Sequence, residues 1–212
     1  MTLVFPGNIG IVETDFDLKF GVVGTPLRGG FLQKMEISEP RWQIAISTTN
    51  MSNNDLGALR AWWNSLEGGM NDFFIHDTAR PIPANYETLT GLAVSGGGAF
   101  DGTCNVVSYP TAKSISLDGL PDSFALKTGD YIGLEEGNNR SLHHILSDVT
   151  ASVGGAVVVP VSPYVSTNVF TTAAVARLDR PVIKVVPNVD SWSGSPQLFH
   201  GSASFSAMQV LF

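Results

Sequence analysis

The sequence predicts a mainly β protein. It reads as a β-sandwich-like domain with one α-helix, interrupted by a small inserted β-barrel-like domain. Three observations lead there. Apolar and polar residues alternate over short stretches such as RWQIAIS (41–47), where Trp42, Ile44 and Ile46 share one face, and a period of two marks a half-buried strand. Only one stretch, 53–66, repeats its apolar residues at steps of three and four. Turn formers are dense, with 22 glycines and 12 prolines in 212 residues, as a chain of short strands requires.

The elements follow in order. In TDFDLKFGV, Phe16, Leu18 and Phe20 alternate onto one strand face. Turn chemistry follows at Gly24-Thr25-Pro26 and at Gly29-Gly30. After the strand 41–47, Ser52 and Asp55 form a capping box in which Asp replaces the usual Glu or Gln. Leu56, Leu59, Trp62, Trp63 and Leu66 make the apolar stripe of the helix. Gly68 and Gly69 supply the left-handed conformation that ends it. Phe73-Phe74-Ile75 reads as a strand leaving the core, and Asp77 opens a turn by accepting backbone N–H groups.

The texture changes at SGGGAFDG (95–102), a turn-rich boundary. Short strands then appear at SISL (114–117), DYIGL (130–134), LHHIL (142–146) and AVVVPV (156–161), separated by turns at 129–130, 136–139 and 152–155. Pro160 predicts an edge or interrupted strand, because proline gives no N–H to a ladder. Longer β patterns return in RPVIKVVP (180–187) and SASFSAMQVLF (202–212). Val210, Leu211 and Phe212 gain by burial, so the closing strand is expected to pair into the first sheet. The predicted organisation is one domain from 1–90 and 181–212, with 91–180 inserted.

Composition narrows the function classes. The chain is 43% hydrophobic and 15% charged, with formal net charge -7 from 19 acidic and 12 basic residues and no basic run. That argues against a phosphate backbone as the main partner. Cys104 is the single cysteine, so no intrachain disulfide forms. The N-terminal stretch lacks a basic region followed by an apolar core, so no cleaved signal is expected. No apolar stretch reaches the ~20 residues of a membrane span, and no membrane partner is expected.

The search for chemistry returns little. His143 and His144 are adjacent, so in a strand they point to opposite faces. No HExxH or CxxC spacing occurs, and no metal site or cofactor is predicted. No GxSxG elbow occurs, and Cys104 in DGTCNVV reads as a small buried residue. SGGG at 95–98 lacks the Lys-Ser/Thr of a phosphate loop. Asp15 and Asp17 share a strand face opposite a core face, and Glu135 and Glu136 sit in a turn and read as solvated. His76-Asp77 is the one pair suggestive of acid–base work, but adjacency in sequence does not make a hydrogen-bonded dyad. The predicted catalytic set is empty and the chain reads as no enzyme.

The order of features resembles a known family. A tryptophan-bearing strand (RWQIAIS) leads to a Met-Ser helix start (MSNNDLGAL), a Leu-x-Gly turn (NSLEGGMN) and an aromatic strand closing on Asp (DFFIHDTARP). This is similar to the distal tail proteins of long-tailed bacteriophages and phage-derived gene transfer agents. The departures are Gly69-Met70-Asn71-Asp72 in the turn, and Thr78 where that family usually has Pro. The stretch 126–163, with GDYIGL, LHHIL, SDV and VVVPV, resembles a module of the same family, and RLDRPVIKVVPN and FSAMQVL resemble its closing strands.

The resemblance, over about residues 30–212, implies a structural virion protein and no catalysis. It implies a homo-oligomeric ring, commonly a hexamer, at the distal end of the tail tube, built in the host cytoplasm and resident in the virion tail tip. The implied partners are the tail tube protein, the tail-tip hub with its fibres, and the tape measure protein in the lumen. Candidate ring-interface residues are Leu27 and Phe31 in the 21–32 loop, and Ile82 and Tyr86 in the 78–90 segment. A competing expectation is a carbohydrate-binding tail module for host surface glycan, with Tyr109, Tyr131 and Tyr164 as stacking platforms.

Overall fold

A computed structural model describes residues 2–7 and 9–211. The protein is mainly β, with one α-helix. In chain order the strands are β1 (Leu3–Val4), β2 (Ile11–Pro26), β3 (Leu32–Thr48), β4 (Met51–Ser52), then helix α1 (Asn53–Ser65) and β5 (Phe73–His76). There follow β6 (Thr103–Thr111), β7 (Ser114–Asp118), β8 (Ala125–Leu126), β9 (Tyr131–Glu136), β10 (Asn139–Ile145), β11 (Val149–Thr150) and β12 (Val157–Ser162). The chain continues through β13 (Val175–Arg177), β14 (Val182–Pro187), β15 (Ser193–Pro196) and β16 (His200–Gln209). It packs as two compact units, residues 6–72 with 185–211, and residues 2–5 with 73–184.

In the first unit β16 is the central strand. It pairs antiparallel with β3 from Ser204↔Ser47 to Met208↔Gln43, with β15 from Ser193↔Ser204 to Pro196↔Gly201, and with β14 at Val185↔Gln209. The register follows the pattern of alternation. Ala203, Phe205 and Ala207 are buried, as are Trp42, Ile44 and Ile46 on the neighbouring strand. The strand ends at Gln209, Val210 and Leu211 are half-buried beyond it, and Phe212 lies outside the described residues.

Helix α1 covers this sheet. The Ser52 side chain accepts the Asp55 N–H at 3.2 Å, the first bond of a capping box, and the Asp55 carboxylate accepts from the Ser52 hydroxyl at 2.7 Å. The left-handed backbone that stops the helix starts one residue before the glycines, at Glu67 (φ +50°), and continues through Gly68 (+65°) and Gly69 (+93°). Leu66 then accepts the Gly69 and Asn71 N–H groups at 3.0 and 3.2 Å.

The second unit holds a closed six-stranded barrel, β10-β12-β7-β6-β13-β9. Ile115, Leu117, Ile132, Leu134, Val159 and Val161 fill it, all fully buried. Of the two alternatives expected at Pro160, an edge or an interruption, the structure has the interruption. Closure leaves no edge, and Pro160 sits where β12 changes partner: residues 157–160 pair with β7, and 161–162 with β10. The missing N–H falls at that handover. Two barrel strands, β6 and β13, lie outside the expected set. β13 has only three residues, too few to show a period.

The compact units divide at 72/73 and 184/185 rather than at 90/91 and 180/181. Residues in 82–89 join the barrel because their apolar groups pack on its core. Tyr86 stacks on Phe124 with centroids 4.5 Å apart and accepts the Ala125 N–H at 2.9 Å, and Leu89 is buried there.

The 152–155 turn tests the barrel's tolerance. Gly155 has φ +76°, and a Cβ added to it would lie 2.3 Å from the Leu120 carbonyl oxygen. Gly155→Ala is expected to destabilise by at least about 2 kcal/mol, from the left-handed backbone and the backbone clash together. Urea unfolding followed by far-UV circular dichroism, which reports the barrel strands where the four tryptophans of the other unit do not, checks this, and an unchanged midpoint would refute the turn geometry.

Candidate functional site

The segment 59–77, which ends in the His76-Asp77 pair, is packed into the fold. Leu56, Leu59, Trp63 and Leu66 are buried and Trp62 is half-buried. Trp63 packs against Phe205 and Trp192 with ring centroids 4.9 and 5.1 Å away, Trp62 lies 6.2 Å from Phe205, and Arg60 lies 4.9 Å over the Trp192 ring. Such clusters add to plain burial. Trp192 has no alternating neighbours, so nothing in the sequence marked it as the helix's partner.

Phe73 is fully buried in β5, Phe74 is half-buried on the opposite face, and the Arg140 guanidinium lies 5.5 Å over the Phe74 ring. Asp77 is 4% exposed, accepts the Ala79 N–H at 2.9 Å and pairs with Arg80 at 3.5 Å. Its carboxylate is thereby committed to shaping the turn. Burial, with Arg180 adding to it, holds His76 below the usual imidazole range.

The other polar candidates are bound into the barrel. Glu135 and Glu136 are not solvated, which corrects the turn reading. Glu135 accepts from Arg177 at 2.8 Å, and Glu136 accepts the Thr171 N–H and hydroxyl at 2.6 and 2.9 Å. Both close β9, whose neighbour β13 carries Arg177 opposite Gly133. Asp15 and Asp17 are exposed on either side of buried Phe16. Cys104 is buried, and burial pushes its thiol up to about 12. Tyr131 is 3% exposed, with Arg80 over its ring at 4.7 Å and His144 stacked at 4.6 Å, so it offers no face to a sugar. Tyr109 donates its hydroxyl to the Thr171 carbonyl at 3.1 Å. Tyr164 is half-buried. Among the described residues no group of three or more His, Cys, Asp or Glu side chains can hold a metal ion, and no helix is long and apolar enough to cross a membrane.

His143 and His144 do face oppositely. His143 is fully buried, within hydrogen-bond distance of the Ser141 hydroxyl through Nε2 and of the Pro163 carbonyl through Nδ1, both at 2.8 Å. The carbonyl only accepts, so Nδ1 carries the proton and Nε2 accepts from Ser141. Burial lowers the ring's pKa to about 4.

The strongest surface feature is the hairpin of β2 and β3. Its ladder runs from Ile11↔Thr48 out to Pro26↔Leu32, but burial ends near Leu18 on one strand and Pro40 on the other. Beyond them it is a two-stranded arm. Phe20, expected on the core face with Phe16 and Leu18, is 57% exposed because register shifts at Lys19/Gly21 and Gly21/Val22 carry the strand off the sheet. Val22, Val23, Leu32, Met35 and Ile37 are also exposed, and at the tip Leu27 is 49% and Phe31 77% exposed. Of the four candidate interface residues, Leu27 and Phe31 stand on this arm, while Ile82 and Tyr86 are half-buried against the barrel core. Between Leu18 and Pro40 the arm carries Lys19, Arg28 and Lys34 against Glu36 and Glu39, a net +1 that leaves the rest of the chain at -8 of its net -7, and Lys19 pairs with Asp17 at the arm's base.

The chain matches no family model and no curated protein.

The histidine generates a pH prediction. His143 titrates near 4 when folded and about 6.5 when unfolded, so the unfolded chain binds the extra proton between those values. Its contribution is complete above pH ~6.5 and is lost as pH falls toward 4, about 3 kcal/mol in all. Chemical denaturation at stepped pH checks this, and His143→Gln should flatten the slope in that window.

Proposed function

We propose that this protein is a structural subunit of a phage tail tip, one that assembles with copies of itself into a ring. By the resemblance of its helix–turn–strand segment, that ring is six-fold and closes the distal end of the tail tube, joining it to the hub and fibres. The observation that carries the reading is the arm. An isolated two-stranded hairpin is at best marginally stable in water, and a contiguous run of exposed apolar residues marks an interaction surface. A head-to-tail contact, in which each copy's arm meets the next copy's body, closes into a ring when the rotation fits. The opposite net charges of arm and remainder favour this contact.

The buried aromatic stripe, the committed Asp77 carboxylate and the covered Tyr131 ring support a scaffold over the acid–base and glycan readings. Each of these groups is already used in holding the fold.

Native mass spectrometry of the whole chain tests the proposal. The expected result is a closed oligomer of fixed subunit number. Replacing residues 22–37 by Asn-Gly, a pair suited to a tight hairpin, should give a monomer with an unchanged unfolding midpoint. A wild-type chain that stays monomeric at high concentration, or a truncated one that assembles as before, would sink it.

A further inference from the structure

The arm's end has a matching surface on the barrel unit. Among the clefts formed by the described residues, one of about 340 Å³ joins carboxylates to apolar side chains. Ile82 and Leu89 line it together with Glu87, Asp101, Asp179 and Arg180. A larger cleft of about 600 Å³ has two carboxylates, Asp101 and Asp118, with Val94, Ala99 and Cys104 as its apolar side chains. A third, of about 330 Å³ beside Leu56, Trp192 and Pro196, is apolar but is lined by no carboxylate, its one charged side chain being the Arg60 guanidinium. The first carries the most carboxylates, three against two and none.

We infer that the basic tip of one copy's arm, Arg28 between Leu27 and Phe31, docks into the cleft beside Arg180 of a second copy. The inference rests on the ring reading and adds to it the surface that receives the arm. Three carboxylates against one guanidinium leave the cleft acidic, and the tip brings a cation with no carboxylate between Lys19 and Met35. Close charge pairs across an interface set register and suppress wrong partners. Phe31, at 77% exposure, is covered by nothing in its own chain, and half-buried Ile82 supplies an apolar wall for it. The cleft is pre-formed. Arg180 is held at φ +45° with its N–H donating to the Pro81 carbonyl at 2.6 Å. Asp101 accepts the Thr103 N–H and hydroxyl at 2.9 and 2.6 Å, which keeps that carboxylate ionised and aimed. Two of the sequence's candidate interface residues, Phe31 and Ile82, thus fall on the two halves of one contact.

The test is a charge exchange in the full chain, read by native mass spectrometry and by cross-linking. Arg28→Glu and Glu87→Lys should each weaken assembly about tenfold, and the double variant should restore it to within about threefold. Separately, chains with Arg28→Cys and chains with Glu87→Cys, mixed and mildly oxidised, should form a disulfide between the two species. Cys104 is 4% exposed and stays silent. Assembly that ignores both reversals and gives no mixed disulfide overturns the docking site and leaves the ring reading standing. A wild-type chain that neither assembles nor cross-links overturns both.

Discussion

The first unit depends on one strand. β16 pairs with β3, β14, β15 and β4, and it carries Phe205, on which Trp62, Trp63 and Trp192 converge. Without it Trp42, Ile44 and Ile46 would have no neighbour along the hydrogen-bonding direction on that side, and the helix stripe would have nothing beneath it. Its contacts with β3 join residues more than 150 positions apart, such as Ala203 N–H to Thr48 Oγ1 and Trp42 N–H to Gln209 Oε1. Pairings of that range cost loop-closure entropy before they return burial. They make the sheet a late, cooperative structure rather than a sum of local hairpins.

The second unit solves the same problem differently. The six barrel strands close on themselves, so each barrel ladder finds its partner inside 103–177 and the barrel has no edge strand. Its buried Asp130 and His143 are paired within the unit. Asp130 accepts the Ala84 and Lys127 N–H groups at 2.9 and 2.8 Å, and His143 joins β10 to the segment after β12. Buried polar groups with complete partners specify one arrangement, since any shift leaves a group unpaired.

Between these two solutions stands the arm. Paired only with each other, its strands keep both faces and both edges in water, against the usual practice of hiding apolar edges. A monomer gains nothing from Phe31 or Leu27 there. Their placement gains meaning once a second copy covers them, and the concentration of Arg28 and Lys34 in an otherwise acidic chain states which kind of surface would do so.

The sequence by itself determined the secondary-structure types. Alternation in 41–47, the three–four spacing of Leu56, Leu59, Trp63 and Leu66, and the Ser52–Asp55 cap are local, and local sterics and hydrogen bonds settle them. It also determined that the barrel strands would be short and turn-bounded. What only the tertiary structure decided is which apolar residues are covered. Phe16 and Phe20 carry the same signal, yet one is buried and the other is 57% exposed, because burial depends on where the sheet ends. Ile82, Tyr86 and Leu89 have no period and were assigned to a unit only by the core they met. Glu135 and Glu136 looked solvated until closure brought Arg177 and Thr171 to them. Pattern reports what a strand offers to its neighbours, and packing decides which neighbours there are.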